Sequence, residues 1–134
     1  MSGAAAALQA AALGRIAPLA GLSGVYEGAP LQAVYPYAVV EAGPETDWGH
    51  KSGAGSEVRV AVTVRDAGER PRRLLGLLDE ARAAVEAGLE LDGWQLVTLA
   101  WQRTRSAREG KATVGADTVW AGAVEFRARL LKGG

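Results

Sequence analysis

The residues able to do chemistry are few and lie close together. The only histidine, His50, stands beside Lys51 in the glycine-rich stretch DWGHKSGAGSE, with the carboxylates Glu41, Glu45, Asp47 and Glu57 around it. Hydrolysis requires a nucleophile with a base in reach, and WGHKSG offers neither a nucleophile elbow nor a metal-ligand spacing. GAGSE, Gly53 to Glu57, has the glycines of a phosphate loop, but such a loop follows a strand and sets Lys and then Ser or Thr at the start of a helix. Here a strand follows instead. A carboxylate pair for glycoside hydrolysis needs a fixed separation, which so many glycines supply poorly. The carboxylates therefore read as solvated loop charges and His50 as an exposed loop residue. No catalytic residue, cofactor-binding residue, cofactor or metal ligand is assigned, and the chain is expected not to be an enzyme.

Composition narrows the remaining classes. The 134 residues fit one domain, 1–134, long enough to bury a core without staples. The absence of cysteine excludes disulfides and thiolate metal sites, and one histidine with one methionine argues against a metal cluster or haem. Fifteen basic and fifteen acidic residues cancel, so the chain as a whole exerts no pull on nucleic acid or an anionic membrane. Arginines cluster at Arg70, Arg72 and Arg73 and at Arg103, Arg105 and Arg108, which read as solvated faces or protein contacts. The start, MSGAAAALQAAALGRIAPLAGL, lacks the positive region of a signal peptide, and Gln9 and Arg15 interrupt its apolar run. No stretch reaches the length of a membrane span. A protein of the cytoplasm, or one assembled there, is expected.

The elements that must position these residues follow from periodicity. Ala4 to about Ala17 is alanine-rich and helical, with Leu8, Ala12, Leu13 and Ile16 at helical spacing, and Pro18 and Gly21 end it. SGVYEGAP is a turn-rich connector. Tyr37 to Glu41 is the best-defined part of a first strand and Glu57 to Arg65 is a second, with Val58, Val60, Val62 and Val64 on one face. A second helix starts near Ala67 to Arg70, tolerates Pro71 in its first turn, buries Leu74, Leu77, Leu78, Ala81 and Val85, and ends at Gly88. GWQLVTLAWQRTR is a third strand with Val97, Leu99 and Trp101 sharing a face; DTVWAGAVEFRARL is a fourth, with Trp120, Val124, Phe126, Ala128 and Leu130 sharing one. Ser106 to Ala116 reads as a long, mobile hairpin loop that a neighbouring subunit orders. The expected fold class is α+β: a mainly antiparallel four-stranded sheet with two helices packed on one face and charge alternating with small residues on the other.

Trp101 and Trp120 are assigned to the core and Trp94 to a cap at one of its ends. Trp48, on the glycine-rich loop, has no periodic partner. It folds back as a lid or it waits for a partner, and tryptophan is enriched at interface hot spots.

The order YPYAVVEA, DWGHKSGAGSEVRVAVTVRDAGE, a leucine-rich helix, LVTLAW and GAVEFRARL resembles a family of small phage proteins, the tail terminator or tail completion proteins of long-tailed phages and gene transfer agents. The likeness covers nearly the whole chain and rests most on Tyr35-Pro36-Tyr37, Trp48, Lys51, Gly55 to Glu57 and Phe126. It implies a structural protein that assembles in the host cytoplasm and resides in the tail or neck of the particle. There it forms a six-membered homo-oligomeric ring that ends the tail tube and joins it to the head–tail connector. DNA meets it only in transit through the lumen, and no membrane partner is implied. A head–tail connector or stopper protein is the alternative within the structural class; a small α+β ligand-binding domain or enzyme, with a pocket lined by Tyr35, Tyr37 and Trp48, is the alternative outside it.

Fixing a loop costs roughly 1–2 kcal/mol per residue of backbone entropy, and one tryptophan offsets only a few kcal/mol of that. The loop is therefore expected to be ordered by a partner. The expected interface comprises Asp47, Trp48, His50 and Lys51 on this loop with Arg105 at the end of the third strand and Arg108 and Lys111 on the other loop.

Overall fold

The computed structural model describes residues 3–51, 53–111 and 117–133. Helix α1 (Ala4–Ile16) is followed by strands β1 (Gly24–Tyr26), β2 (Tyr37–Asp47) and β3 (Gly55–Gly68), helix α2 (Arg72–Glu86), and strands β4 (Trp94–Lys111) and β5 (Thr118–Lys132). The strands form one sheet in the order β1-β2-β3-β5-β4. All neighbours pair antiparallel except β1 and β2, which run parallel.

The α+β class and the two helices on one face are as the periodicity predicts, but the sheet is five-stranded and mixed. The additional strand comes from the stretch read as a connector. Gly24, Val25 and Tyr26 pair with Tyr37, Ala38 and Val39, a ladder too short to leave a period-two signal.

The core lies between the helices and one sheet face. Val58, Val60, Val62 and Val64 on β3 pair with Ala128, Phe126, Val124 and Gly122 on β5, and directly opposed residues share a face. The stripe of α2 packs there as its 3.6-residue spacing requires, with Leu74, Leu77, Leu78, Ala81 and Val85 all buried. Leu8, Ala12 and Ile16 of α1 are buried in the same cluster. Gly122 admits α2 to the sheet: a Cβ there would stand 2.5 Å from Leu78 Cδ1 and 2.9 Å from the Arg105 carbonyl. Helix α2 begins at Arg72, later than predicted, because Pro71 stands before its first turn and its carbonyl accepts from Leu75 N at 2.9 Å. Buried Asp66 anchors that start, accepting from Arg73 Nε at 2.7 Å and Nη2 at 2.5 Å.

Three expectations are corrected by strand length. The glycine-rich loop is mostly strand: β2 continues to Asp47 and β3 begins at Gly55, with Gly43-Pro44 absorbed in a bulge between Ala42 and Glu45. A bulge suits Pro44, which lacks the N–H a regular ladder uses. Ser106 to Lys111 likewise belong to β4, and the remainder of the predicted hairpin loop lies outside the described residues. Trp101 is not a core residue. The bulge at Leu96/Thr98 breaks the alternation of β4, so Leu96 and Leu99 pack on the core while Val97 is 41% exposed; Trp101, in step with Leu99, is still 39% exposed. Trp101 faces the helix side beyond the cover of α2, capped by the Arg82 guanidinium 3.8 Å from its ring centroid.

Candidate functional site

The tip of the β2–β3 hairpin is a closed turn. Trp48 N donates to Gly55 O at 3.0 Å, His50 N to Gly53 O at 2.8 Å and Gly53 N to His50 O at 3.1 Å. Asp47 Oδ1 accepts from Gly49 N at 3.3 Å, and Glu45 Oε2 accepts from Ser56 Oγ at 2.7 Å. Gly55 is required where the strands converge, since a Cβ would stand 2.6 Å from Trp48 O and 2.9 Å from Leu130 O. Lys132 N also donates to Ala54 O at 2.9 Å, tying the hairpin to the end of β5.

Within this turn Trp48 is half-buried and lies outside the core cluster. Its ring meets His50 edge-on, centroids 4.8 Å apart at 70°, and the Arg129 guanidinium lies 5.6 Å from its centroid. Arg129 is held in turn by Glu57 at 3.0 Å. The tryptophan is thus neither a lid on the core nor a loose side chain; it is presented on a shelf of β5. His50 and Lys51 are exposed beside it. Among the described residues the His50 imidazole has no hydrogen-bonded carboxylate or nucleophile.

Arg105, Arg108 and Lys111 lie at the opposite end. They stand on the distal half of β4, opposite Ala123, Trp120 and Thr118. Through β5 these residues align with Thr63, Asp66 and Gly68 of β3, whereas the hairpin tip adjoins Gly55, so the two groups are separated by roughly 25 Å of strand at Arg105 and roughly 40 Å at Lys111. They are two sites. Arg105 Nε is 3.7 Å from Glu125 Oε1, and Arg108 is exposed with no ion pair among the described residues. Near them Glu109 accepts from Arg65 Nε at 2.9 Å, and this hydrogen bond raises the arginine's pKa further.

The helix-free face between these ends is charged, with five arginines sharing three carboxylates. Glu57 lies among Arg127 and Arg129, Glu125 takes Arg103 and Arg105, and Glu109 takes Arg65. The hydrogen bond from Arg103 lowers the Glu125 carboxyl below the usual range, and the neighbouring Arg105 charge adds to it.

Tyr35, Tyr37 and Trp48 do not line a common pocket. Tyr35 packs on Tyr37 at 5.7 Å and Tyr26 on Tyr37 at 6.0 Å, whereas Trp48 lies just beyond the far end of the eleven-residue β2. The sequence reading missed Leu31 and Val34, 104% and 72% exposed on the connection between β1 and β2, and Leu75, 44% exposed on α2. The signal that singles out Trp48, an apolar residue in turn-rich sequence without periodic partners, applies equally to Leu31 and Val34.

A family model described as tail completion protein gp17 matches residues 4–131. Among solved structures, a chain of the virion of a native gene transfer agent (GTA) particle is similar to this one, with a TM-score of 0.75 and 28% identity over 97% of this chain and 99% of that chain. No curated protein matches.

Proposed function

The chain belongs to the tail completion protein gp17 family, and from that membership we propose that it closes the head-proximal end of a tail tube as a ring of identical subunits, six as the family resemblance implies, and offers the ring's other side to the head connector. Its role as a structural tail-completion protein rests on the family match over residues 4–131, and that match is the observation that carries the proposal. The likeness to a chain of a gene transfer agent virion supports a place in a phage or phage-like particle; assembly in the host cytoplasm is what the family resemblance implies.

The geometry suits the role. A ring subunit touches more than one partner, and the candidate contacts form two separate groups on the sheet: Asp47, Trp48, His50 and Lys51 at the β2–β3 tip, and Arg105, Arg108 and Lys111 on distal β4. DNA in transit must not be held. On the helix-free face Glu57, Glu109 and Glu125 offset three of the five arginine charges paired with them, which weakens its hold on phosphate. No described helix is long and apolar enough to cross a membrane. The chain works without turnover; its solitary histidine serves contact.

The test is the native mass of the purified protein, alone and mixed with tail tube protein. A discrete homo-oligomer, formed in either condition, supports the ring. A protein that remains monomeric in both overturns it.

A further inference from the structure

The zero net charge conceals two oppositely charged edges. No Lys or Arg occurs between Arg15 and Lys51, whereas that stretch carries Glu27, Glu41, Glu45 and Asp47, all exposed. It forms β1, β2 and their connection, one edge of the sheet. β1 covers β2 only at Tyr37, Ala38 and Val39, so Glu41 to Asp47 face outward. β4 forms the opposite edge. It carries Arg103, Arg105, Arg108 and Lys111 against one acid, Glu109, which Arg65 already holds. Arg103 and Arg105 share a single carboxylate, Glu125. The β4 edge is therefore left positive.

Apolar groups accompany the charges. Leu31 and Val34 project at the acidic edge, and Leu75, Val97 and Trp101 are exposed along the α2 and β4 side of the basic edge. Trp101 lies under Arg82, and tryptophan and arginine are both enriched at interface hot spots.

We propose that the acidic β1–β2 edge docks on the basic β4 edge of a second copy of this chain, with Leu31 and Val34 set against Trp101 and its apolar neighbours. The charge pattern selects this mode. A two-fold dimer through either edge places like charges face to face, whereas head-to-tail contact places opposite charges together. Head-to-tail contacts close into rings or run on as filaments, so the inference rests on the ring reading and names the surfaces that build it.

The test reverses each edge separately, at residues that make no buried contact. One variant carries Arg105→Glu with Arg108→Glu; the other carries Glu27→Arg with Glu41→Arg. Circular dichroism checks that both fold, and sedimentation equilibrium reads association at low salt, with and without tail tube protein. Each variant alone should associate on the order of a hundredfold more weakly than wild type, since like charges now face each other. An equimolar mixture should recover association, because each variant then presents to the other the charge its own edge repels. Raising the salt should weaken wild-type association. If the wild type oligomerises and folded variants do so equally, or if the mixture fails to recover, the edge assignment is overturned while the ring reading stands. A wild type that never associates overturns both.

Discussion

Arg129 on β5 holds its guanidinium 5.6 Å from the ring centroid of Trp48, which lies edge-on to His50. The tryptophan is supported from one side and open on the other. An exposed cation–π contact is worth about 0.5–1 kcal/mol, so Trp48→Ala should lower unfolding free energy by about 1 kcal/mol in a denaturant titration. Trp120→Ala should cost about 3 kcal/mol, because that ring packs against the core and its Nε1 donates to Gly68 O at 3.1 Å. Equal losses in the two variants would make Trp48 a structural residue after all. Tail termination, and not folding, should fail in Trp48→Ala.

Gly122 is the point of closest approach between sheet and helix. An alanine there must displace Leu78 and press on the Arg105 carbonyl, at 2.5 and 2.9 Å from the new Cβ. Overpacking of this kind costs about 1–3 kcal/mol. Chemical denaturation of Gly122→Ala measures it, and wild-type stability in that variant would show that α2 sits further from β5 than described.

Much of this was legible because burial is two-sided there. On β3 and on α2 the hydrophobic period is enforced by a neighbour on the inner face and water on the outer, and the predicted stripes are the buried ones. Legibility failed at the edges and ends. Glycines in DWGHKSGAGSE suggested a loose loop, yet Trp48 N, His50 N and Gly53 N all find carbonyl partners across the hairpin. Val97 and Trp101 kept step with Leu99 in sequence, but a bulge that the composition does not announce turned Val97 out of step, and Trp101 on the edge strand stays partly exposed beyond α2. The candidate contacts were legible as residue types; their division between two ends of the sheet was not, since it depends on which strands pair.

Asp66 and Arg73 join the end of β3 to the start of α2. The carboxylate is 4% exposed, so Arg73→Met leaves it without the two hydrogen bonds from that guanidinium. With the arginine itself largely solvated, the loss should be about 1–2 kcal/mol. Equilibrium unfolding in urea decides it, and an unchanged midpoint counts against the anchor.

The acid limb of stability should depend on Glu125. Its folded pKa lies below the ordinary value of 4.5 because Arg103 hydrogen-bonds the ionised form. A depressed carboxyl stabilises the fold above its unfolded pKa and loses that contribution as pH falls through the lower folded value. Wild-type stability should therefore fall from about pH 4.5 downward. Glu125→Gln should be less stable near neutrality and fall less steeply in acid. Identical slopes in the two proteins would contradict the assigned cause.

The central claim is that this chain ends a tail, and the length of tails made without it tests that most directly. Electron microscopy of particles from a host lacking only this protein should show over-long tails unattached to heads, with normal particles restored by the wild-type chain. Tails of normal length, joined to heads in its absence, would contradict the account.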